Sequence, residues 1–137
     1  MVQPTDPFLI VFFAPDPGLP SFGEEFLNSC PPGIRGRFLA LLVEIAKAPP
    51  FRFSGGGLWE AMHGEMTGWF EIRVDFNKSK HYRLFCVLDH EALNYEERLL
   101  VVITGKTKKY RTTITANEYN KIRKLGAEYF SQNPRLI

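Results

Sequence analysis

The stretch "WFEIRVDFNKSKHYRLFCVLD" at residues 69–89 decides the fold. Residues 70–76 alternate between apolar and charged side chains, which is the period of a half-exposed β-strand. The apolar positions are Phe70, Ile72, Val74 and Phe76, and the charged positions are Glu71, Arg73 and Asp75. A short polar connector, "NKSK" at 77–80, leads to the apolar run 81–89, so this stretch predicts a β-hairpin.

Two more strands lie on either side of the predicted hairpin along the chain. The run "RLLVVIT" at 98–104 is apolar on both faces, which is typical of a strand in the middle of a sheet. Near the N-terminus, "FLIVFF" at 8–13 is rich in β-forming residues and ends at the loop "PDPGLP" at 15–20. Together these segments predict about four strands.

Three helices are predicted from caps and apolar spacing. The sequences "SFGE" at 21–24 and "TANE" at 115–118 both have the form of a capping box, in which two side chains satisfy the backbone donors of the first turn. Between them, five apolar residues recur at helical spacing until Pro49 and Pro50 stop the helix. Those five residues are Ile34, Phe38, Leu41, Leu42 and Ile45.

The predicted element order is therefore β-α-α-β-β-β-α. This order indicates an α+β fold in which an antiparallel sheet of about four strands is packed by two N-terminal helices and one C-terminal helix. The chain has 137 residues, of which 45% are hydrophobic and 23% are charged, so we expect one globular domain over residues 1–137.

Charge is unevenly distributed along a chain whose net charge is only +2. Residues 1–34 hold four acids and neither Lys nor Arg, whereas residues 105–124 hold seven cations and one acid, Glu118. The cations are Lys106, Lys108, Lys109, Arg111, Lys121, Arg123 and Lys124. Such a basic pole suggests an anionic partner, although a solvated surface gives the same pattern.

Strand alternation gives this basic pole possible neighbours. Arg73 lies on the polar face of one predicted strand, and His81 and Arg83 share a face of the next. We expect the basic segment 105–111 to leave the end of the central strand as a loop. If strand register brings these groups together, they form a cationic site suited to a phosphodiester, because guanidinium groups bind phosphate oxygens in pairs.

Several other classes of protein are disfavoured by the sequence. The apolar run 8–14 is too short to span a bilayer, so we expect a cytoplasmic protein without a membrane partner. Cys30 and Cys86 lie among apolar neighbours without metal-ligand spacing, which predicts two reduced, buried thiols. The three histidines are scattered singly, and we expect neither a metal nor a cofactor.

Three motifs resemble the RelE/HigB superfamily of bacterial type II toxins, in its phage-derived HigB-like branch. They are "GGLWEAMHGEMTGWFEIRV" at 56–74, "HYRLFCVLD" at 81–89 and "LLVVITGKTKKYRTTITANEYNKI" at 99–122. The resemblance covers roughly residues 34–130 and includes the order of elements. Relative to the family pattern, "EAMHGEMTGWF" at 60–70 inserts residues before the arginine strand.

The resemblance implies a ribosome-dependent mRNA interferase. Toxins of this kind cut the codon in the ribosomal A site with the 2′-OH of the RNA as nucleophile and without a metal. It also implies a helix-turn-helix antitoxin as partner, besides the ribosome and mRNA.

The resemblance assigns roles to individual basic residues. Arg73 and Arg83 would clamp the scissile phosphate, and Lys108 or Lys109 would assist the general base. Lys106 and Arg111, with the two lysines just named, would bind RNA phosphates. Further RNA-binding candidates are His81, Lys121 and Lys124.

Two tyrosines compete for a further role, stacking on a base or sharing proton transfer. Tyr110 lies within the basic segment, and Tyr119 lies later in the chain, where such tyrosines often occur in the family. Either tyrosine can instead be a packing aromatic.

Each assignment has a structural alternative. Arg73 and Arg83 can form surface ion pairs with Glu71 or Asp75, which contribute little to stability. His81 can be a general base, because its pKa is ordinarily close to neutrality, or a packed strand residue. At the level of the whole protein, the alternatives are a ParE-like poison of DNA gyrase and a non-catalytic RNA-binding domain on the same fold.

Overall fold

The computed structural model describes residues 6–49, 57–76, 79–109, 112–132 and 134–135 of the chain. Its elements follow the predicted order with one short strand added. They are β1 (Leu9–Phe12), α1 (Phe22–Ser29), α2 (Pro32–Ala46), β2 (Trp59–Ala61), β3 (Trp69–Phe76), β4 (Lys80–Asp89), β5 (Leu99–Lys109) and α3 (Ala116–Phe130). A single turn of 3₁₀-helix, Gly64–Met66, lies between β2 and β3.

The strands form one five-stranded sheet in the order β1-β5-β4-β3-β2. Strands β3 to β5 pair antiparallel, as predicted, and β2 pairs antiparallel with β3. Strand β1 departs from the expected antiparallel sheet, because it pairs parallel with β5. Strand β2 is an addition to the prediction, because three residues are too few to show alternation. The α+β fold class is confirmed, and β5 is an interior strand, as its apolar sequence predicted.

The sheet has a hydrophobic core on each face. On one face α1 and α2 cover the sheet, and the predicted stripe of α2 from Ile34 to Ile45 is buried there. On the other face α3 packs through Ile122 and Tyr129 against side chains that include Phe85 and Val87 of β4. We call this second side of the sheet the α3 face.

Both predicted capped helices begin where expected. Ser21 caps α1 by accepting a hydrogen bond from the backbone N–H of Glu24, and its hydroxyl donates to the Glu24 carboxylate at 3.2 Å. Thr115 and Glu118 form the full reciprocal capping box of α3. The short polar sequences were therefore reliable markers of where these helices start.

The expectation of a basic loop at 105–111 is wrong for residues 105–109, which continue strand β5. The first residues of β4 supply the ladder partners, with Lys80 opposite Lys109 and Leu84 opposite Gly105. Gly105 also allows close packing of α1, because a Cβ there would lie 2.2 Å from the Phe26 ring. Residues 110 and 111 lie outside the described part of the chain.

Both cysteines are buried, as predicted, and both tryptophans are also core residues. Trp59 is fully buried, Trp69 is 8% exposed, and both thiols are free and buried. Burial raises the pKa of Cys86 and of Cys30 above the ordinary thiol value, so neither is activated as a nucleophile. No helix within the described residues has the length and apolarity needed to cross a membrane.

Candidate functional site

Strand register brings the predicted arginines together on the α3 face. Arg73 of β3 is the cross-strand partner of Arg83 of β4, which is in turn the partner of Lys106 of β5. Opposed residues in neighbouring antiparallel strands have Cα atoms about 4.5–5.5 Å apart. Three cations from three strands therefore form one row across the sheet.

A second row lies two residues further along the same strands. It consists of Asp75, His81 and Lys108, again as consecutive cross-strand partners. Because alternate residues of a strand share a face, this row borders the first on the α3 face. We call the five basic residues of the two rows the basic cluster: Arg73, His81, Arg83, Lys106 and Lys108.

Two carboxylates lie within the basic cluster. Glu71 Oε1 is 2.7 Å from both Nε and Nη2 of Arg73. Asp75 Oδ1 accepts a hydrogen bond from Arg83 Nη1 at 2.7 Å and lies 2.8 Å from His81 Nδ1. Burial raises the pKa of Asp75, but the bonds and charges of Arg83 and His81 outweigh burial and hold it below its ordinary value.

These contacts are the ion pairs with Glu71 and Asp75 that the sequence left open as an alternative role for the two arginines. Arg83, however, is not a surface residue. It is 7% exposed, and besides Asp75 its Nη1 donates to the backbone carbonyl of Tyr82 at 3.0 Å. Both of these bonds use Nη1, so among the described residues Nε and Nη2 are left to donate to an added anion. Because these two bonds fix the Arg83 guanidinium, its orientation is set before an anion binds.

Charge remains in excess after this pairing. Four permanent cations, Arg73, Arg83, Lys106 and Lys108, share two carboxylates, Glu71 and Asp75. An anion added beside them would replace part of the neutralisation that solvent now provides. A phosphate group fits this chemistry, because arginine donates two parallel hydrogen bonds to its oxygens.

Tyr119 of α3 borders the basic cluster. Its ring packs edge-on against Phe85, with centroids 6.3 Å apart, and Phe85 is the cross-strand partner of both Glu71 and Thr104. Burial raises the pKa of Tyr119, as does the charge of Glu71, while Arg73 and Arg83 lower it less. Of the two candidate tyrosines, Tyr119 thus lies beside the site, and Tyr110 lies outside the described residues.

The remaining basic candidates are not all brought to the basic cluster. Lys109 pairs with Lys80, and strand alternation directs it to the face of α1 and α2, away from its neighbour Lys108. Lys121 and Lys124 are exposed on α3, where they line a shallow cavity with Asn117 and Asn120. Arg111 lies outside the described residues.

Sequence reasoning missed the two carboxylates as parts of the site. In the sequence interpretation, Glu71 and Asp75 are only possible ion-pair partners of the two arginines. The signal was present in the alternation of β3, which puts both acids on the face of Arg73. No group of three or more metal-ligating side chains occurs among the residues that the structure describes.

Comparisons with known proteins bear on the fold. No protein-family model and no curated protein matches the sequence. A chain of the crystal structure of the toxin-antitoxin complex RelBE2 from Mycobacterium tuberculosis is similar in structure, with a TM-score of 0.50 and 16% sequence identity. The match covers 75% of this chain and 93% of that chain. The chain therefore has a RelE-like fold, as its motifs predicted.

Proposed function

We propose that this protein is the toxin of a type II toxin-antitoxin system and acts as a ribosome-dependent mRNA endoribonuclease. The RelE-like fold supports the toxin assignment. The resemblance of the three motifs is the ground on which we propose the HigB-like branch. The cell compartment that follows is the cytoplasm, where ribosomes and mRNA occur. One observation carries the catalytic part, namely the row of Arg73, Arg83 and Lys106 across three strands.

The proposed reaction is transesterification within the RNA chain. The 2′-oxygen attacks the adjacent phosphorus, the bond from phosphorus to O5′ breaks, and the products are a 2′,3′-cyclic phosphate and a 5′-OH. Negative charge builds up on the phosphate oxygens in the transition state. Arg73 and Arg83 would stabilise that charge, since fixed donors act most strongly where charge develops.

Proton transfer requires a second set of groups. The 2′-OH must lose a proton and O5′ must gain one. His81 and Lys108 are cross-strand partners one row beyond Arg83, and Tyr119 borders the row on its other side. We propose that the base and the acid come from these three residues, with the ribosome supplying part of the substrate positioning.

An antitoxin partner follows from the same proposal. Such a partner, of the helix-turn-helix type, would neutralise the toxin by covering the basic cluster with acidic and apolar residues. Because Lys106 and Lys108 are only partly buried, they are available to such a surface.

Purified protein on translating ribosomes tests the proposal. We expect cleavage within the A-site codon, products that end in 2′,3′-cyclic phosphate and 5′-OH, and little cleavage of free RNA. Intact mRNA on stalled ribosomes would contradict the proposal. If gyrase-dependent DNA breaks appeared instead, the ParE-like alternative would replace it, and RNA binding without any cleavage would favour the non-catalytic domain.

A further inference from the structure

A cavity of about 300 Å³ lies between the segment 62–66 and the start of α3. Met62, Met66 and Tyr119 form its apolar walls, and Glu65 and Arg123 are among its polar groups. Its volume lies at the lower end of the range of ligand pockets, which suits a single ring system better than a larger molecule. Part of it is built by the segment 60–70, in which residues are inserted relative to the family pattern.

Tyr119 connects this cavity to the basic cluster. It lines the cavity, and its ring packs edge-on against Phe85, the cross-strand partner of the Glu71 that pairs with Arg73. A nucleotide whose phosphate lies on the arginines can therefore direct its base toward the cavity. Single-stranded RNA is commonly recognised in this way, by bases that turn out of the chain and pack on aromatic or other flat side chains.

The polar groups of the cavity include both a hydrogen-bond acceptor and a hydrogen-bond donor. Arg123 Nη2 lies 3.5 Å from Glu65 Oε2, and Arg123 also contacts Asn120 and the Met66 sulfur. A carboxylate accepts two hydrogen bonds and a guanidinium donates two. Guanine matches both groups, because N1–H and N2–H donate on one edge while O6 and N7 accept on another.

We infer that this cavity receives a guanine base of the single-stranded RNA whose phosphate is held by Arg73 and Arg83. Glu65 accepts from N1–H and N2–H, Arg123 donates to O6 and N7, and Met62, Met66 and Tyr119 pack against the ring. The inference rests on the proposed function for its substrate class, but it concerns binding, which can be measured without cleavage.

Methionine methyl groups provide the readout, because Met62 and Met66 both line the cavity. The full chain, labelled with ¹³C at its methionine methyls, is titrated with GMP, AMP, CMP, UMP and ribose 5-phosphate. We expect GMP to shift the Met62 and Met66 signals and to bind about tenfold more tightly than the other nucleotides. Ribose 5-phosphate, which lacks a base, should leave both methyl signals in place.

Glu65→Gln tests the recognition of the base, and Glu128→Gln, at the far end of α3, is the matched control. The side chain of Glu65 is 86% exposed, so its substitution should not disturb folding. The amide introduced by Glu65→Gln donates as well as accepts, so the preference for GMP over AMP should fall about tenfold, whereas Glu128→Gln should preserve it.

Equal binding of all four nucleotides, or methyl signals that no nucleotide moves, would overturn the inference. The outcome is separable from that of the proposed function. Cleavage on ribosomes without a methyl shift leaves the nuclease standing and removes the guanine cavity. Selective shifts with GMP and no cleavage retain the cavity and remove the nuclease.

Discussion

The two ends of strand β4 present opposite arrangements of charge on the same face of the sheet. Arg83 lies near one end and is 7% exposed, and Asp89 lies at the other end and is 2% exposed. Between them, Phe85 and Val87 are covered by α3. One face of one strand thus carries a buried cation at one end, core in the middle and a buried anion at the other end.

The two ends differ in whether their charges are satisfied. Asp89 accepts from the Tyr129 hydroxyl at 2.7 Å, from Arg135 Nε at 2.9 Å and from the backbone N–H of Glu91 at 3.0 Å. The basic cluster around Arg83 instead keeps more cations than carboxylates. A saturated acid serves the structure, and an excess of oriented cations is suited to binding an anion.

Substituting Arg83 should have the largest effect on activity. Arg83→Ala should lower the rate of mRNA cleavage on saturating ribosomes by about 10²–10³-fold, because it removes a fixed donor to the transition state. Arg83→Lys should recover only part of the rate, since lysine lacks the planar fork of donors. Cleavage is measured by primer extension on a defined message.

Arg37→Ala is the matched control for Arg83→Ala, because it removes a guanidinium from an exposed position of α2. It should cleave at the wild-type rate. If Arg83→Ala also cleaved at that rate while remaining folded, the basic cluster would not be the catalytic surface, and the contrast between the ends of β4 would lose its functional meaning.

Substituting Asp89 should have the largest effect on stability. Asp89→Asn weakens its bond with Arg135, whose side chain is 11% exposed, and removes the negative charge that pairs with this cation. Breaking a buried pair on one side costs about 3–5 kcal/mol, so we expect a loss of about 3 kcal/mol in the free energy of unfolding. Urea unfolding measures it, and Glu97→Gln, an exposed acid, should change it by less than about 0.5 kcal/mol.

Much of the fold could be predicted because local patterns determine it. The alternation of 69–76 and the apolar stripe of α2 reflect burial on one side of an element, and burial repeats with the period of the element. The cap residues Ser21 and Thr115 act within a few residues of chain. None of these signals requires a distant partner, so one sequence suffices to read them.

The site could be predicted only in part, because its geometry depends on partners far apart in the chain. The connector was predicted to span 77–80, whereas Lys80 already belongs to β4 and pairs with Phe76. One residue in this connector decides whether Arg73 faces Arg83 or a core residue. The extension of β5 was likewise missed, since polar residues 105–109 are held in the sheet by pairing with β4.

Lysines on the two faces of β5 should separate phosphate binding from general surface charge. Lys106 lies in the row of Arg83, and Lys109 lies on the opposite face. Lys106→Ala should weaken binding of single-stranded RNA by a modest factor and reduce the slope of log affinity against log salt by about 0.7. Fluorescence anisotropy from low to physiological salt measures both quantities.

Lys109→Ala is the control for Lys106→Ala, because it removes the same charge from the same strand. It should leave the salt slope nearly unchanged. Equal effects of the two substitutions would mean that RNA responds to the total charge of the strand and not to the α3 face.

The smallest expected effect is a difference between Asp75 of β3 and Asp89 of β4 in how the free energy of unfolding depends on pH. Burial raises the pKa of Asp89, but hydrogen bonds from Arg135, the Glu91 N–H and Tyr129 outweigh burial and hold the pKa below the ordinary 3.8. The pKa of Asp75 is lowered as well. Each group therefore stabilises the fold fully above about pH 3.8 and loses that contribution as the pH falls through its lower folded pKa.

The side chain of Asp75 is 49% exposed, so solvent screens its pairs, and Asp75→Asn should alter the acid dependence of unfolding by less than about 1 kcal/mol. Asp89→Asn should remove a larger part of that dependence, and urea unfolding at neutral pH and at about pH 3 compares the two variants. A larger change from Asp75→Asn would mean that the carboxylate in the basic cluster, and not the one at Asp89, anchors the sheet.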